Sequence, residues 1–276
     1  MQPPPDTADA LPPAIPLRER EPVSDERAVD VLIALTRSDL SARYGRGFWQ
    51  IFKWVFDPFA LVGIYLLVRL VIFDRGGDAV GLSLACSIVP FQIVLLSAVS
   101  AMGSVGLREP ILLNMRFNRM LLPLSSVATE TLAFGASLGL LALMMVIYQI
   151  PPTPAVLLLP FVVAANLALA VGFAYPAALF GVWFPDLRLV ATQVLRTLYF
   201  AAPGLVALSE ISGRAHDLLK FNPMTGLFEA YRSVLLYGEV PAAWMVFYPA
   251  AMGGFLLLVF LRIYRREQNH FAKVTA

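Results

Sequence analysis

Apolar runs long enough to cross a lipid hydrocarbon core recur along most of this sequence. A helix rises 1.5 Å per residue, so a core about 30 Å thick demands roughly 20 apolar residues in succession. Segments 48–73, 80–106, 123–148, 156–184, 190–208 and 242–264 meet or approach that demand. Such a chain cannot make a water-facing surface: 58% of its 276 residues are hydrophobic and only 14% are charged, where a soluble domain carries about a quarter. Backbone amides inside lipid must bond within their own segment, which makes the helix the spanning unit. The sequence therefore predicts an all-α integral membrane protein with six transmembrane helices over residues 47–265.

Orientation follows from where the basic residues fall. Formal net charge is only +2, which suggests no nucleic-acid partner. Seven of the 21 Lys and Arg lie from the amino terminus through the start of the first span, three lie between spans two and three, two around the fourth connection and four at the carboxyl end. Arg75, Arg214, Lys220 and Arg232 fall on the other side, and sixteen against four predicts both termini in the cytoplasm. No short charged start with a small-residue cleavage site precedes the first span, so that span is expected to direct insertion itself. Cys86 is the single cysteine, and His216 and His270 lie far apart, which leaves no disulfide and no metal ligand set.

Residues 1–23 hold seven prolines among small and charged residues and are expected to form a disordered cytoplasmic tail; residues 266–276 are expected to be a cytoplasmic tail at the other end. Over 24–46, Val29, Ile33, Thr36, Leu40 and Tyr44 recur at spacings of three and four with Arg37, Arg43 and Arg46 interleaved. That pattern predicts an amphipathic helix, either lying in the membrane interface or packed on a partner.

Two connections carry mechanism. Arg108-Glu109-Pro110-Ile111-Leu112-Leu113-Asn114-Met115-Arg116-Phe117-Asn118-Arg119 starts a short amphipathic turn at Pro110. It either docks into a cytoplasmic partner through Ile111, Leu112 and Met115 or sets its arginines on lipid phosphates. Between spans five and six, Asn222 caps a helix beginning at Pro223, and Gly238 ends it. Leu227, Phe228, Tyr231, Val234 and Leu235 share one face, with Glu229, Arg232 and Ser233 away from it. Residues 209–241 are too short and polar for two spans, so their helices are expected to be re-entrant, dipping into the outer leaflet as a gate or a lid.

Glu130 and Arg196 each lie about seven residues inside a span, where an isolated charge costs several kcal/mol, and are expected either to pair or to be satisfied separately. Aromatic side chains crowd the first, fourth and fifth spans; most serve packing or the interface, while a subset facing a channel would stack on sugar rings. Gly135, Gly139, Gly172 and Gly181 read as close-packing positions. No G-x-x-x-x-G-K-[ST] phosphate loop occurs, so any ATP-driven transport draws on another subunit.

The order of these features resembles the ABC permeases that export polysaccharides. The resemblance rests on Arg43-Tyr44, Asp57-Pro58, Arg119-Met120-Leu121-Leu122-Pro123, Trp183-Phe184-Pro185-Asp186-Leu187-Arg188, Ala202-Pro203 and the stretch from Asn222 to Arg232. Asn118 and Pro185 depart from the family pattern, which weakens the choice of substrate. The resemblance implies a homodimer bound to two ATP-binding cassette subunits, which hold ATP and Mg, exporting a lipid-linked glycan such as O-antigen, galactan, teichoic acid or capsule from a bacterial inner membrane. It assigns coupling to Arg108, Glu109, Ile111, Leu112, Met115, Arg116, Phe117 and Arg119, and channel lining to Phe52, Phe56, Phe59, Tyr199 and Phe200. The outer gate would be Phe221, Asn222, Pro223, Phe228, Glu229, Tyr231 and Arg232. Competing readings are an ABC exporter of a drug or small lipid, an ion-coupled carrier using Glu130, and a membrane-embedded transferase.

Overall fold

A computed structural model describes residues 25–45, 48–72, 79–106 and 118–267. The expected tails at 1–23 and beyond 267 lie outside the described residues, as does most of the second-to-third connection. The chain is an integral membrane protein, and among the described residues it is helical without strands. Its helices are α1 (Asp25–Tyr44), α2 (Phe48–Leu67, continued by a π turn over Val68–Ile72), α3 (Val80–Ser104), α4 (Leu121–Ile147) and α5 (Leu159–Trp183, entered through a 3-10 turn at Pro154–Leu158). They are followed by α6 (Arg188–Phe200), α7 (Arg214–Lys220), α8 (Pro223–Arg232, continued by a π turn over Ser233–Tyr237) and α9 (Ala243–Glu267).

Four of these are long and apolar enough to cross a membrane: α3, α4, α5 with its leading turn, and α9. They run up and down. Gly81 at the start of α3 donates its N–H to the Tyr148 hydroxyl just past α4 (3.2 Å), and Thr153 before α5 donates to the Gly238 carbonyl just ahead of α9 (3.2 Å). At the opposite end, Tyr264 of α9 donates to the Arg119 carbonyl beside the start of α4 (3.2 Å).

The expected fifth span is not one continuous helix. It stops at Phe200 after 13 residues, which is about 20 Å of rise. Pro203 supplies the reason: it offers no N–H, its ring crowds the carbonyl four residues earlier, and it biases Ala202 away from helix.

α3 is the enclosed centre, packed by α4 and α5, while α9 lies against α5 with Phe247, Phe255 and Leu258 facing outward. Hydroxyls inside the bundle are satisfied locally: Ser104 donates to the Ala101 carbonyl (2.7 Å), Ser125 to Leu122 (2.9 Å) and Thr129 to Ser125 (2.9 Å). Backbones touch at two crossings. A Cβ on Gly181 would strike the Met102 carbonyl of α3, and one on Gly172 would come within 2.6 Å of the Gly253 Cα on α9. Gly135 and Gly139 are different from expectation: open space surrounds both on the outer face of α4. α1 packs on α4, burying Leu35 and Thr36 and leaving Val29 and Ile33 exposed.

Candidate functional site

The end of α6 leaves carbonyls at residues 203–205 with no helical N–H to bond, in a segment too apolar for water to serve them. Two arginines serve them instead. Arg232, wholly buried on α8, donates through Nη1 to the Pro203 carbonyl (3.0 Å), through Nη2 to Gly204 (3.2 Å) and through Nε to Ser83 of α3 (3.4 Å). Its charge is balanced by Glu229 one turn earlier, with Nη1 to Oε1 at 2.7 Å. The same carboxylate oxygen accepts the Leu208 N–H (2.9 Å). Arg69, in the π turn after α2, donates to the Leu205 carbonyl (2.7 Å) and pairs with Glu210 (3.0 Å). Ser87 and Tyr199 add hydroxyl donors to the Gly204 carbonyl, at 2.6 and 3.1 Å.

Sequence spacing sets Glu229, Arg232 and Ser233 away from the apolar face of this helix; the structure buries all three. The local signals for α8 are nevertheless those of the sequence. The Asn222 side chain accepts the Met224 N–H (3.0 Å), Pro223 opens the helix, and Gly238 ends the following turn with a left-handed φ of 68°. The Asn222 amide also donates to the Leu198 and Ala201 carbonyls (3.4 and 3.2 Å), tying the start of α8 to the end of α6. Phe228 and Tyr231 are fully buried in the same plug, Pro223 is half-buried, and Phe221 is exposed. Asn166 of α5 donates to the Tyr231 hydroxyl (3.4 Å).

Below the plug, α2, α3 and α6 line an open cavity of about 470 Å³, walled by Tyr65, Phe91, Tyr199 and Phe200 together with Gln92, Gln193, Arg196 and Thr197. Tyr65 stacks on Tyr199 (centroids 5.4 Å apart) and meets Phe200 edge-on (6.1 Å). Of the predicted channel aromatics, Tyr199 and Phe200 come together here. Phe52, Phe56 and Phe59 form a separate shallow pocket at the start of α2, with Phe52 and Phe56 stacked at 5.3 Å. Tyr65 and Phe91 carried no mark in the sequence separating them from other aromatics in the spans.

Glu130 and Arg196 do not pair. Glu130 is buried, accepts a hydrogen bond from Ser100 (3.2 Å) and lines a different cavity of about 390 Å³ with Asp57 and Ser137. Leu61, Gln92 and Leu96 contribute to the walls of both cavities and so stand between the two charges. Arg196 is exposed, and no carboxylate among the described residues reaches it.

Of the predicted coupling residues, Arg119 is described; Arg108, Glu109, Ile111, Leu112, Met115, Arg116 and Phe117 lie outside the described residues. The exit from that connection is held firmly. Asn118 Oδ1 accepts the Met120 N–H (3.1 Å), the Met120 carbonyl accepts from Tyr175 of α5 (3.1 Å), and the Arg119 carbonyl accepts from Tyr264 of α9. The two tyrosine rings meet edge to face at 5.6 Å.

No known protein-family profile matches the chain. It does align over 246 residues with the O-antigen export system permease protein RfbA of Myxococcus xanthus, at 28% identity and covering 88% of this chain and 94% of the relative. This chain is similar to O-antigen export permeases. Two such proteins of the same name from Klebsiella pneumoniae align at 21% identity over 89% of this chain and 95% of their own length. The similarity to these export permeases therefore covers nearly nine-tenths of the chain rather than one motif.

Proposed function

We propose that this chain is the permease subunit of an ABC exporter that moves a lipid-linked glycan of the O-antigen kind across a bacterial inner membrane, with ATP and Mg held by a separate ATP-binding subunit. The observation that carries this reading is the similarity to O-antigen export permeases along nearly nine-tenths of the chain. In this reading two copies, each crossing six times with cytoplasmic termini, flank one pathway and bind two ATP-binding subunits. The first and fifth crossings are then α2 with its π turn, and α6 completed by the clamped segment at residues 201–208.

This reading implies a route from drive to outlet. Residues 108–119 would receive motion from the ATP-binding subunit. Their exit is tied through Tyr175 and Tyr264 to α5 and α9, and both helices pack on α8. A tilt of the α5 and α9 pair would therefore shift the plug that closes the outer end. The cavity at Tyr65, Phe91, Tyr199 and Phe200 offers apolar ring faces with side-chain amides, a combination suited to pyranose rings, whose C–H faces are apolar and whose edges are hydroxylated.

Co-expression with its ATP-binding subunit tests the assignment. A stable complex with ATPase activity raised several-fold is expected, and Arg116→Ala with Phe117→Ala should remove the stimulation. Stimulation that survives those changes sinks the coupling role, and absence of any complex sinks the exporter reading. An ion-coupled carrier is the second reading, favoured only by the cavity that brings Asp57 and Glu130 together. It predicts uptake driven by a proton or sodium gradient with no ATP present.

A further inference from the structure

Arg196 is left without an assigned partner by everything above. It sits eight residues into α6 from Arg188, a rise of roughly 12 Å, so it lies at hydrocarbon depth. A guanidinium does not shed its charge by deprotonation, and a charge at that depth faces protein, water or a ligand. Glu130 lies behind the wall of the neighbouring cavity, and the ion pairs among the described residues join Arg69, His216, Lys220 and Arg232 to carboxylates, never Arg196. What Arg196 does face is the 470 Å³ cavity, with Gln193 and Thr197 beside it on α6 and the Tyr199 and Phe200 rings one turn further.

The geometry points to Arg196 as a specificity residue that binds an oxyanion of the translocated substrate, a carboxylate or phosphate carried on the sugar chain or at its joint to lipid. This rests on the glycan reading above and narrows it to an anionic substrate. Ring stacking holds any sugar alike, because every pyranose has an apolar face; a planar guanidinium forks onto carboxylate or phosphate and ignores neutral hydroxyls by comparison. A second copy of the chain covering Arg196 with a carboxylate is the competing arrangement, and the test separates it.

The test uses the full chain in phosphatidylcholine nanodiscs at low salt. The probes are an oligogalacturonate, a neutral oligogalactan of the same length, and a short polyprenyl phosphate bearing no sugar. Binding of each is compared in the native protein, Arg196→Gln and Arg196→Lys. Since Arg196 is exposed and makes no bond within the described chain, both variants should fold, and size-exclusion and thermal melting check that they do.

The expected result is that an anionic probe binds about tenfold tighter than the neutral one, that Arg196→Gln erases the difference, and that Arg196→Lys keeps most of it. Preference for the galacturonate places the oxyanion on the sugar; preference for the polyprenyl phosphate alone places it at the lipid joint. Equal binding of acidic and neutral probes, unchanged in Arg196→Gln, overturns the inference and leaves the glycan reading intact. A change in copy number in Arg196→Gln, with probe binding unaltered, overturns it in favour of the second copy. Failure of the native protein to bind any of the three probes sinks the glycan reading together with it.

Discussion

Arg232 and Arg69 look equivalent as residues: each is a buried guanidinium holding carbonyls of the broken α6 segment and facing one carboxylate. Their partners differ. Glu229 is almost entirely enclosed, whereas the Glu210 side chain is 37% exposed. Removing Arg232 strands a buried carboxylate and the Pro203 carbonyl, and loss of one member of a buried pair costs about 3–5 kcal/mol. Arg232→Met should therefore lower the unfolding free energy of the detergent-purified protein by that order, read from its thermal or denaturant midpoint. Glu210→Gln keeps an acceptor and gives up a partly solvated pair worth at most about 1 kcal/mol, so its midpoint should hardly move. Because replacing both members of a buried pair is milder than replacing one, Arg232→Met with Glu229→Met should recover part of the loss. Equal damage from Arg232→Met and Glu210→Gln would contradict this ranking. In the sequence Arg232 reads as one of four basic residues outside the membrane and, by resemblance, as part of the outer gate. Nothing in its neighbours signals inward aim, because that aim follows from carbonyls freed some thirty residues earlier in the chain.

Among the elements, what hydropathy and local punctuation specify was legible. α3, α4, α5 and α9 begin and end within a few residues of the runs that predict them, since length in lipid is fixed by the thickness of the hydrocarbon. The Asn222-Pro223 start and Gly238 stop of α8 were readable because a cap and a left-handed φ act on their own residues. α6 was misread for the opposite reason: the apolar run continues past Phe200 while the backbone does not, and a window of hydropathy registers side chains only. The glycines divide on the same ground. Spacing marks four of them as small, but which ones face a backbone depends on helix rotation. Gly181→Ala should push α5 off α3 and cost about 1–3 kcal/mol. Gly139→Ala, with open space around it, should be neutral or gain up to about 1 kcal/mol from helix propensity. Thermal melting in nanodiscs distinguishes the two; a Gly181→Ala protein as stable as the native would show that this crossing is loose.

At the scale of the whole molecule, hydrogen bonds assign residues to two ends without reference to a membrane. Gln149, Thr153 and Glu239 share one end, and Asn118, Arg119 and Arg266 the other, through the Thr153 contact to Gly238 and the Tyr264 contact to Arg119. With Cys86→Ser as background, single cysteines at Gln149 and Glu239 should react with an impermeant maleimide on intact spheroplasts. Cysteines at Asn118 and Arg266 should react only after permeabilisation. Labelling of one residue from each pair under the same condition would break the proposed topology, and labelling of the second pair alone on intact cells would invert it.

The clamp on α6 also fixes an order of biosynthesis. Arg69 is made 141 residues before Glu210, and Arg232 149 residues after the Ser83 carbonyl that it caps. The first arginine must therefore wait, uncompensated, until three-quarters of the chain has been made, and the Pro203 carbonyl waits longer still for α8. A ribosome halted just before α8 would leave the α6 segment half clamped and the bundle without α9, whose Tyr264 ties the opposite end. α8 is thus the piece that completes the clamp, after every carbonyl it caps is already in place.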